Sequence, residues 1–321
     1  MTSRLQQKPV QVPGYLDLRR RLSDRNRGLR DKVTTLAGAM ASIRDGDHVA
    51  IGGNTFSRTP FAAVWELIRQ RPKRLTVSRS ITSTEGDLLL MGGCVEKYMT
   101  SWFGQGIIWG LSRVLRDHVE HNRVIYEEWS HMSLGMMYRA GAMGIPFMPT
   151  RVMMGSTLPE ALDVALKTMT CPYSDDKLLL LPALNPDVAL IHVQRADRFG
   201  NAQFDGLPFM DSDIALAADR VILTTEKIID NSEIRSAPDH TRIPFMAVDA
   251  VVEVPRGAAP HECAGIYEPF YSVMDDYAAK TRAEGIEGAR DFMNRAVYGP
   301  DSWNDFLKMM HMDQGTGGKS R

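Results

Sequence analysis

The sequence predicts an α/β protein built on a mainly parallel sheet flanked by helices. Three observations lead there. The stretch HVAIGGNTFSRTPFAAVWELIR, His48 to Arg69, reads as strand, glycine turn and helix. Short apolar runs that end in polar, small-residue loops and then take up helical spacing recur along the chain; repeated β-loop-α units of this kind build a parallel sheet. Asp187 to Val193 is apolar enough to be a strand buried on both faces.

Taken in order, residues 1–30 are polar and basic and read as an N-terminal arm, helical from Leu16 if it is ordered at all. The main α/β domain is expected over 31–275. Lys32 to Ile43 places Val33, Leu36, Met40 and Ile43 on one helical face. His48 to Ile51 is a strand that stops at Gly52-Gly53. Thr59-Pro60 reads as a helix start, with Thr as the cap and Pro at the first helical position. Leu75 to Val77 is a second strand, and Ser78 to Gly86 a polar loop at its end. Val95 to Trp102 is a third, ending at Gly104-Gln105-Gly106. Trp109 to His121 is helical and Val124 to Tyr126 a strand. Ser130 is placed to cap a helix running to Met143. Leu178 to Leu184, Asp187 to Val193, Arg220 to Thr225 and Ala250 to Val254 are further strands, and Asp211 to Ala218 is a helix. Asp197 to Asn201 is a tight turn from which Ala202 to Phe204 returns. Residues 276–321 are expected to be a helical segment and a disordered Gly/Lys/Ser tail.

Composition excludes several classes. With 38 basic and 39 acidic residues, the net charge gives no reason to expect a nucleic-acid or membrane-surface partner. The three cysteines, Cys94, Cys171 and Cys263, lie far apart and lack any CxxC or Cys/His metal spacing. No metal site is expected, and a reducing cytoplasm is the simplest setting. No signal-like or membrane-spanning apolar run is visible.

The loops at the carboxyl ends of strands carry the chemical candidates, because open α/β folds bind ligands there. Gly52, Gly53 and Asn54 form one such loop, although a GG pair alone is also an ordinary strand-to-helix turn. Arg58 on the same loop is a candidate for a substrate carboxylate, since arginine pairs carboxylates bidentately. Gln105 sits on another strand-end loop. Ser130 and His131 sit at the first turn of a helix just after a strand. Free N–H groups and the positive helix end lie there and favour a neutral ring. Such a ring can donate a hydrogen bond to a developing oxyanion or accept a proton as a base. Glu127 and Glu128 are neighbours that point apart, so they are not an acid/base pair.

Four stretches carry a resemblance to a known family: HVAIGGNTFSRTPFAAVWELIR, EEWSHMSLGMMYRAGAMGIPFMPTRVMMGS (Glu127 to Ser156), PDVALIHVQRADRFGNAQFDG (Pro186 to Gly206) and IIDNSEIRSAPDHTRIPFMAVDAVVEVPRGAAPHECAGIY (Ile228 to Tyr267). Together they span about residues 32–270. The chain resembles the A (alpha) subunit of family I CoA-transferases of the glutaconate CoA-transferase type, including the related clade that hydrolyses CoA-linked rings. The resemblance implies the CoA-transferase fold and a separate B subunit, in a heterodimer or an α2β2 complex. It implies a glutamate on that partner which attacks an acyl-CoA and becomes a glutamyl-CoA thioester, from which a carboxylic acid collects the CoA. CoA is then a substrate and no permanent cofactor is expected. His131 and Ser130 become catalytic candidates, and Gly52, Gly53, Asn54, Arg58 and Gln105 substrate- or CoA-binding ones. At His131 the glutaconate type has glutamine and the ring-hydrolysing clade glutamate. A histidine there can move a proton, so hydrolysis, ring-opening or decarboxylation of an acyl-CoA compete with transfer. A non-catalytic acyl-CoA-binding subunit on the same fold is a further alternative.

Overall fold

The computed structural model describes residues 27–162 and 165–314, with Asp17, Arg20, Ser23 and Asp24 from the segment before them. The expected arm at 1–30 lies largely outside these residues, as does the tail from 315. In chain order the strands are β1 (His48–Ile51), β2 (Leu75–Ser78), β3 (Ile81–Thr82), β4 (Val95–Thr100), β5 (Trp102–Phe103), β6 (Ile125–Glu128), β7 (Phe147–Thr150), β8 (Lys167–Thr170), β9 (Lys177–Pro182), β10 (Val188–Ala196), β11 (Ala202–Gln203), β12 (Arg220–Ile228), β13 (Thr241–Ile243) and β14 (Ala250–Glu253).

Parallel pairing joins β14, β12, β10, β1, β2, β4 and β6 side by side in that order. The chain first builds outward from β1 and later returns to lay β10, β12 and β14 on its other side. The β10 strand, VALIHVQRA, is buried along almost its whole length, as expected of a parallel strand covered on both faces. β11 turns back antiparallel on the end of β10 and pairs with β13. One apolar cluster packs the helices Phe61–Gln70 and Thr84–Met91 and the C-terminal helices against one face of the sheet. A second cluster packs the helices His131–Met143 and Asp211–Ala217 against the other. The α/β prediction of a mainly parallel sheet between helices holds. Among the described residues no helix is long and apolar enough to cross a membrane.

Several local expectations change. Leu178 to Leu184 does form a strand, β9, but in a separate antiparallel sheet ordered β7-β9-β8. The helix expected from Lys32 is only Leu36–Met40, with Thr35 Oγ1 accepting the Gly38 N–H at 3.1 Å. Lys32 and Val33 are instead held in the sheet layer: Val33 bridges Val251, and Lys32 Nζ donates to Phe245 O at 2.6 Å. The helix expected over Trp109 to His121 splits into Gly106–Trp109 and Arg113–Glu120, broken at Gly110 with φ 82°. Thr59 does not cap the Phe61–Gln70 helix, whose N-cap is Pro60. Its hydroxyl lies 2.8 Å from both Arg79 Nη2 and His261 Nδ1.

The boundary expected at 275/276 falls inside the helix Tyr271–Glu284. The C-terminal helices belong to the first core. Trp65 Nε1 donates to Ala296 O at 2.9 Å, and its ring meets that of Trp303 edge-on at 5.8 Å. Arg69 Nη1 donates to Val297 O and Pro300 O, both at 2.8 Å.

Candidate active site

The glycine loop after β1 is shaped from within. Gly53 has φ +70°, and a Cβ there would lie 2.4 Å from Ser57 O and 2.6 Å from Arg58 O. Only glycine fits such a position. The Gly52 N–H donates to Leu190 O at 2.8 Å and the Gly53 N–H to Asp211 Oδ1 at 2.7 Å. Both N–H groups are therefore engaged within the chain, so any binding role of these two glycines would rest on close approach to the loop and not on donation from these N–H groups. Asn54 stays partly exposed, while its N–H closes a turn on Ser57 O at 3.0 Å.

Arg58 does not lie on an open face of the loop. It is wholly buried, with its Nη1 2.5 Å from Asp211 Oδ2 and its Nη2 donating to Leu207 O at 2.8 Å. Phe204 covers the guanidinium at 4.2 Å. A buried arginine matched to a buried aspartate holds the loop down; it has no free face for a substrate carboxylate. The pattern missed Asp211 because 153 residues separate it from Arg58.

Gln105 is likewise enclosed. Its Nε2 donates to Asp87 Oδ2 at 2.7 Å and its Oε1 accepts from Thr84 Oγ1 at 2.7 Å. The same carboxylate accepts from Tyr277 OH at 2.8 Å and from Ser112 Oγ. Burial pushes the Asp87 carboxyl up to about 7, against the pull of Ser112, Tyr277 and Gln105, with Glu85 adding to the rise. Gln105 and Ser112 are thus the two fixed feet of a loop whose Ile107, Ile108 and Leu111 are exposed. Gln105 has a structural role in holding this loop.

The sequence placed His131 correctly at the start of the helix His131–Met143. Ser130 caps that helix, its Oγ accepting the Ser133 N–H at 3.0 Å. Its hydroxyl also donates to Ser133 Oγ at 2.9 Å, so Ser130 is engaged in the helix start. The His131 side chain is on the open surface, and its Nδ1 lies 2.6 Å from Ser80 Oγ. Ser80 follows Arg79, whose guanidinium donates to Thr55 O at 3.2 Å and pairs with Glu85. The ends of β2 and β6 and the glycine loop are therefore tied into one rim. Sequence reasoning left Ser80 inside a polar loop; its position just past β2 was the available signal.

One group could hold a metal by proximity: ligating atoms of His192, Glu226 and Cys263 lie within 4.8 Å of one another. Both ring nitrogens of His192 are already engaged, Nδ1 with Thr224 Oγ1 and Nε2 with Glu226 Oε1, each at 2.9 Å. Tyr267 OH donates to the same Glu226 oxygen at 2.6 Å. This is a satisfied buried network.

A rim of strand-end loops with an exposed histidine can bind an acyl group and polarise its carbonyl. The family model for coenzyme A transferase matches residues 33–254. The chain belongs to the coenzyme A transferase family. The A-type chain of the glutaconate CoA-transferase of Acidaminococcus fermentans is 36% identical over 263 residues, which cover 76% of this chain and 82% of that protein. The A-type chain of the 3-oxoadipate CoA-transferase of Pseudomonas knackmussii is 37% identical, over 78% of this chain and 91% of its own length. An uncharacterized protein of Archaeoglobus fulgidus is 37% identical over 89% of this chain, which spans 64% of that protein's length. The crystal structure of the A. fermentans glutaconate coenzyme A-transferase superposes with a TM-score of 0.81 at 33% identity, covering 86% of this chain and 92% of the other. The CoA-transferase fold expected from the resemblance is thereby shown.

Proposed function

We propose that this chain is the A (alpha) subunit of a heteromeric cytoplasmic enzyme that moves CoA from an acyl-CoA to a carboxylic acid, with the nucleophilic glutamate supplied by a B subunit. The observation that carries the reading is His131, fixed on an open strand-end rim of a coenzyme A transferase fold and exposed on its outer side. The side chains of Ser80 and His131 are hydrogen-bonded to each other, and the attacking glutamate is the one that the family resemblance assigns to a separate subunit. The relatives named as one subunit of a CoA-transferase support a two-chain enzyme.

The chemistry follows in two exchanges. The partner's carboxylate attacks the thioester carbonyl and releases CoA thiolate. The thiolate then attacks the resulting anhydride at the glutamyl carbonyl, giving glutamyl-CoA and the free acid. A second acid reverses the steps. His131 stands where its outer ring nitrogen stabilises the oxygen that becomes anionic. One positioned donor of this kind is worth about a hundred- to a thousand-fold in rate. Asn54, partly exposed on the glycine loop, is the remaining candidate of the ligand set.

The test is to express the chain alone and with a B-type CoA-transferase subunit from the same genome, then incubate each with acyl-CoA thioesters and borohydride. A glutamyl adduct trapped on the partner, in the complex only, supports transfer. Full acyl-CoA activity from this chain alone overturns the reading. Free CoA or a cleaved ring with no trapped adduct favours the hydrolytic reading, which the histidine in place of an amide makes chemically accessible.

A further inference from the structure

His131 and Ser80 could share their hydrogen in either direction, and the two directions give His131 opposite chemical characters. If the ring carries its proton on Nδ1, it donates to Ser80, and its outward Nε2 is a bare acceptor. If Nδ1 is bare, it accepts from Ser80, and Nε2–H points outward as a donor.

The surroundings of Ser80 decide between them. Ser80 is 3% exposed, and its Oγ makes one bond among the described residues, the 2.6 Å contact to His131 Nδ1. Its hydroxyl hydrogen therefore has one acceptor within reach. Were Nδ1 protonated, that hydrogen would be stranded in a buried place, and leaving a buried donor unmade is the more expensive arrangement. The main chain that carries this hydroxyl is itself held in place. Ser80 O accepts from Ser101 N at 2.9 Å, Ser101 Oγ at 2.5 Å and Thr100 Oγ1 at 3.1 Å. The histidine end is pinned as well, by the Ser130 cap at the start of its helix.

We infer that Ser80 is a positioning residue that fixes His131 as the Nε2–H tautomer, so that the histidine offers the open rim a hydrogen-bond donor and not a base. The inference deepens the CoA-transferase reading and rests on it for the donor's purpose. With this tautomer the ring does for a thioester oxygen what a glutamine amide would do, without moving a proton.

The test is spectroscopic and uses the full chain. Histidine is labelled with ¹⁵N, and long-range proton–nitrogen spectra are recorded, with the His131 signals identified by their loss in His131→Gln. The expected result is a ring with protonated Nε2 and bare Nδ1. Ser80→Ala should move these signals to the exchange-averaged pattern of a free imidazole in water, and Ser80→Thr, which keeps the hydroxyl, should restore the fixed pattern. An Nδ1–H tautomer in the unaltered chain overturns the inference, as does a Ser80→Ala spectrum that does not change. Turnover does not enter the measurement. Absent transferase activity would count against the proposed function and leave this assignment standing.

Discussion

Asp211→Ala is expected to be among the most damaging single changes near the rim. The aspartate accepts the Gly53 N–H at 2.7 Å and the Arg58 guanidinium at 2.5 Å, with both ion-pair side chains at most 1% exposed. Removing one partner of a buried pair leaves the other charge uncompensated, which destabilises by about 3–5 kcal/mol. The stranded Gly53 N–H adds about 1–3 kcal/mol. Arg58 keeps Leu207 O at 2.8 Å, so the lower end of each range applies. Urea unfolding followed by tryptophan fluorescence should show a loss of about 4 kcal/mol. Thermal unfolding should fall by roughly 2 °C for each of those kcal/mol in a chain of this size. The double change Arg58→Met with Asp211→Leu removes both charges together, and replacing a whole buried pair by apolar groups is often close to neutral. It should recover most of the loss, leaving about 1–3 kcal/mol for the stranded N–H. A loss below about 1 kcal/mol for Asp211→Ala would refute the reasoning. So would a double variant as unstable as the sum of its parts. If Arg58 instead clamped a substrate carboxylate, Arg58→Met would raise KM and leave stability untouched.

Three further outcomes are expected. In the assembled complex, His131→Ala should lower kcat about a hundred- to a thousand-fold, whereas His131→Gln, which restores an amide donor, should retain much of the rate; a nearly dead His131→Gln would mean that the histidine moves a proton. Asp87 binds its proton more tightly folded than unfolded, so its contribution is fully present at low pH and is lost as pH rises through about 7. Between about pH 4 and 7, Asp87→Asn should therefore become steadily more stable relative to the parent, by up to about 1.4 kcal/mol per pH unit in urea titrations, and a difference independent of pH would contradict the cause given. Trp65→Ala should cost about 3–5 kcal/mol, because it opens a cavity between the Phe61–Gln70 helix and the C-terminal helices; proteolysis should then cut first near 294–303, and cleavage elsewhere would show that the indole is not the fastening.

Local pattern carried the fold a long way. The glycine break after β1, the Ser130 cap and the largely apolar run of β10 are each written within ten residues, and each formed as read. What failed depended on partners far along the chain. The leucine run of β9 announces a strand but not which sheet receives it, and it joined β7 and β8 instead of the parallel sheet. Arg58 looked like a free loop arginine because nothing near it in sequence reveals Asp211. Thr59 satisfies the local rule for a cap, but Arg79 and His261 compete for its hydroxyl and win. In the site, His131 was legible from its helix position, whereas Ser80 needed the fold, since β2 and β6 are brought near each other only by the β4 between them.

The Arg58–Asp211 pair has an architectural consequence. In an open α/β sheet the natural crevice lies where the strand order reverses direction. Here that is between β1 and β10, and the protein's own guanidinium and carboxylate sit there like a keystone. The doorway that such folds commonly leave for a ligand is bricked up. The proposed site lies instead at the flank of the sheet, where Ser80 and His131 stand at the ends of β2 and of the edge strand β6. If the proposed function holds, a site at a flank has one wall built by this chain and one side open, which is the shape that two protein chains need if they are to share it.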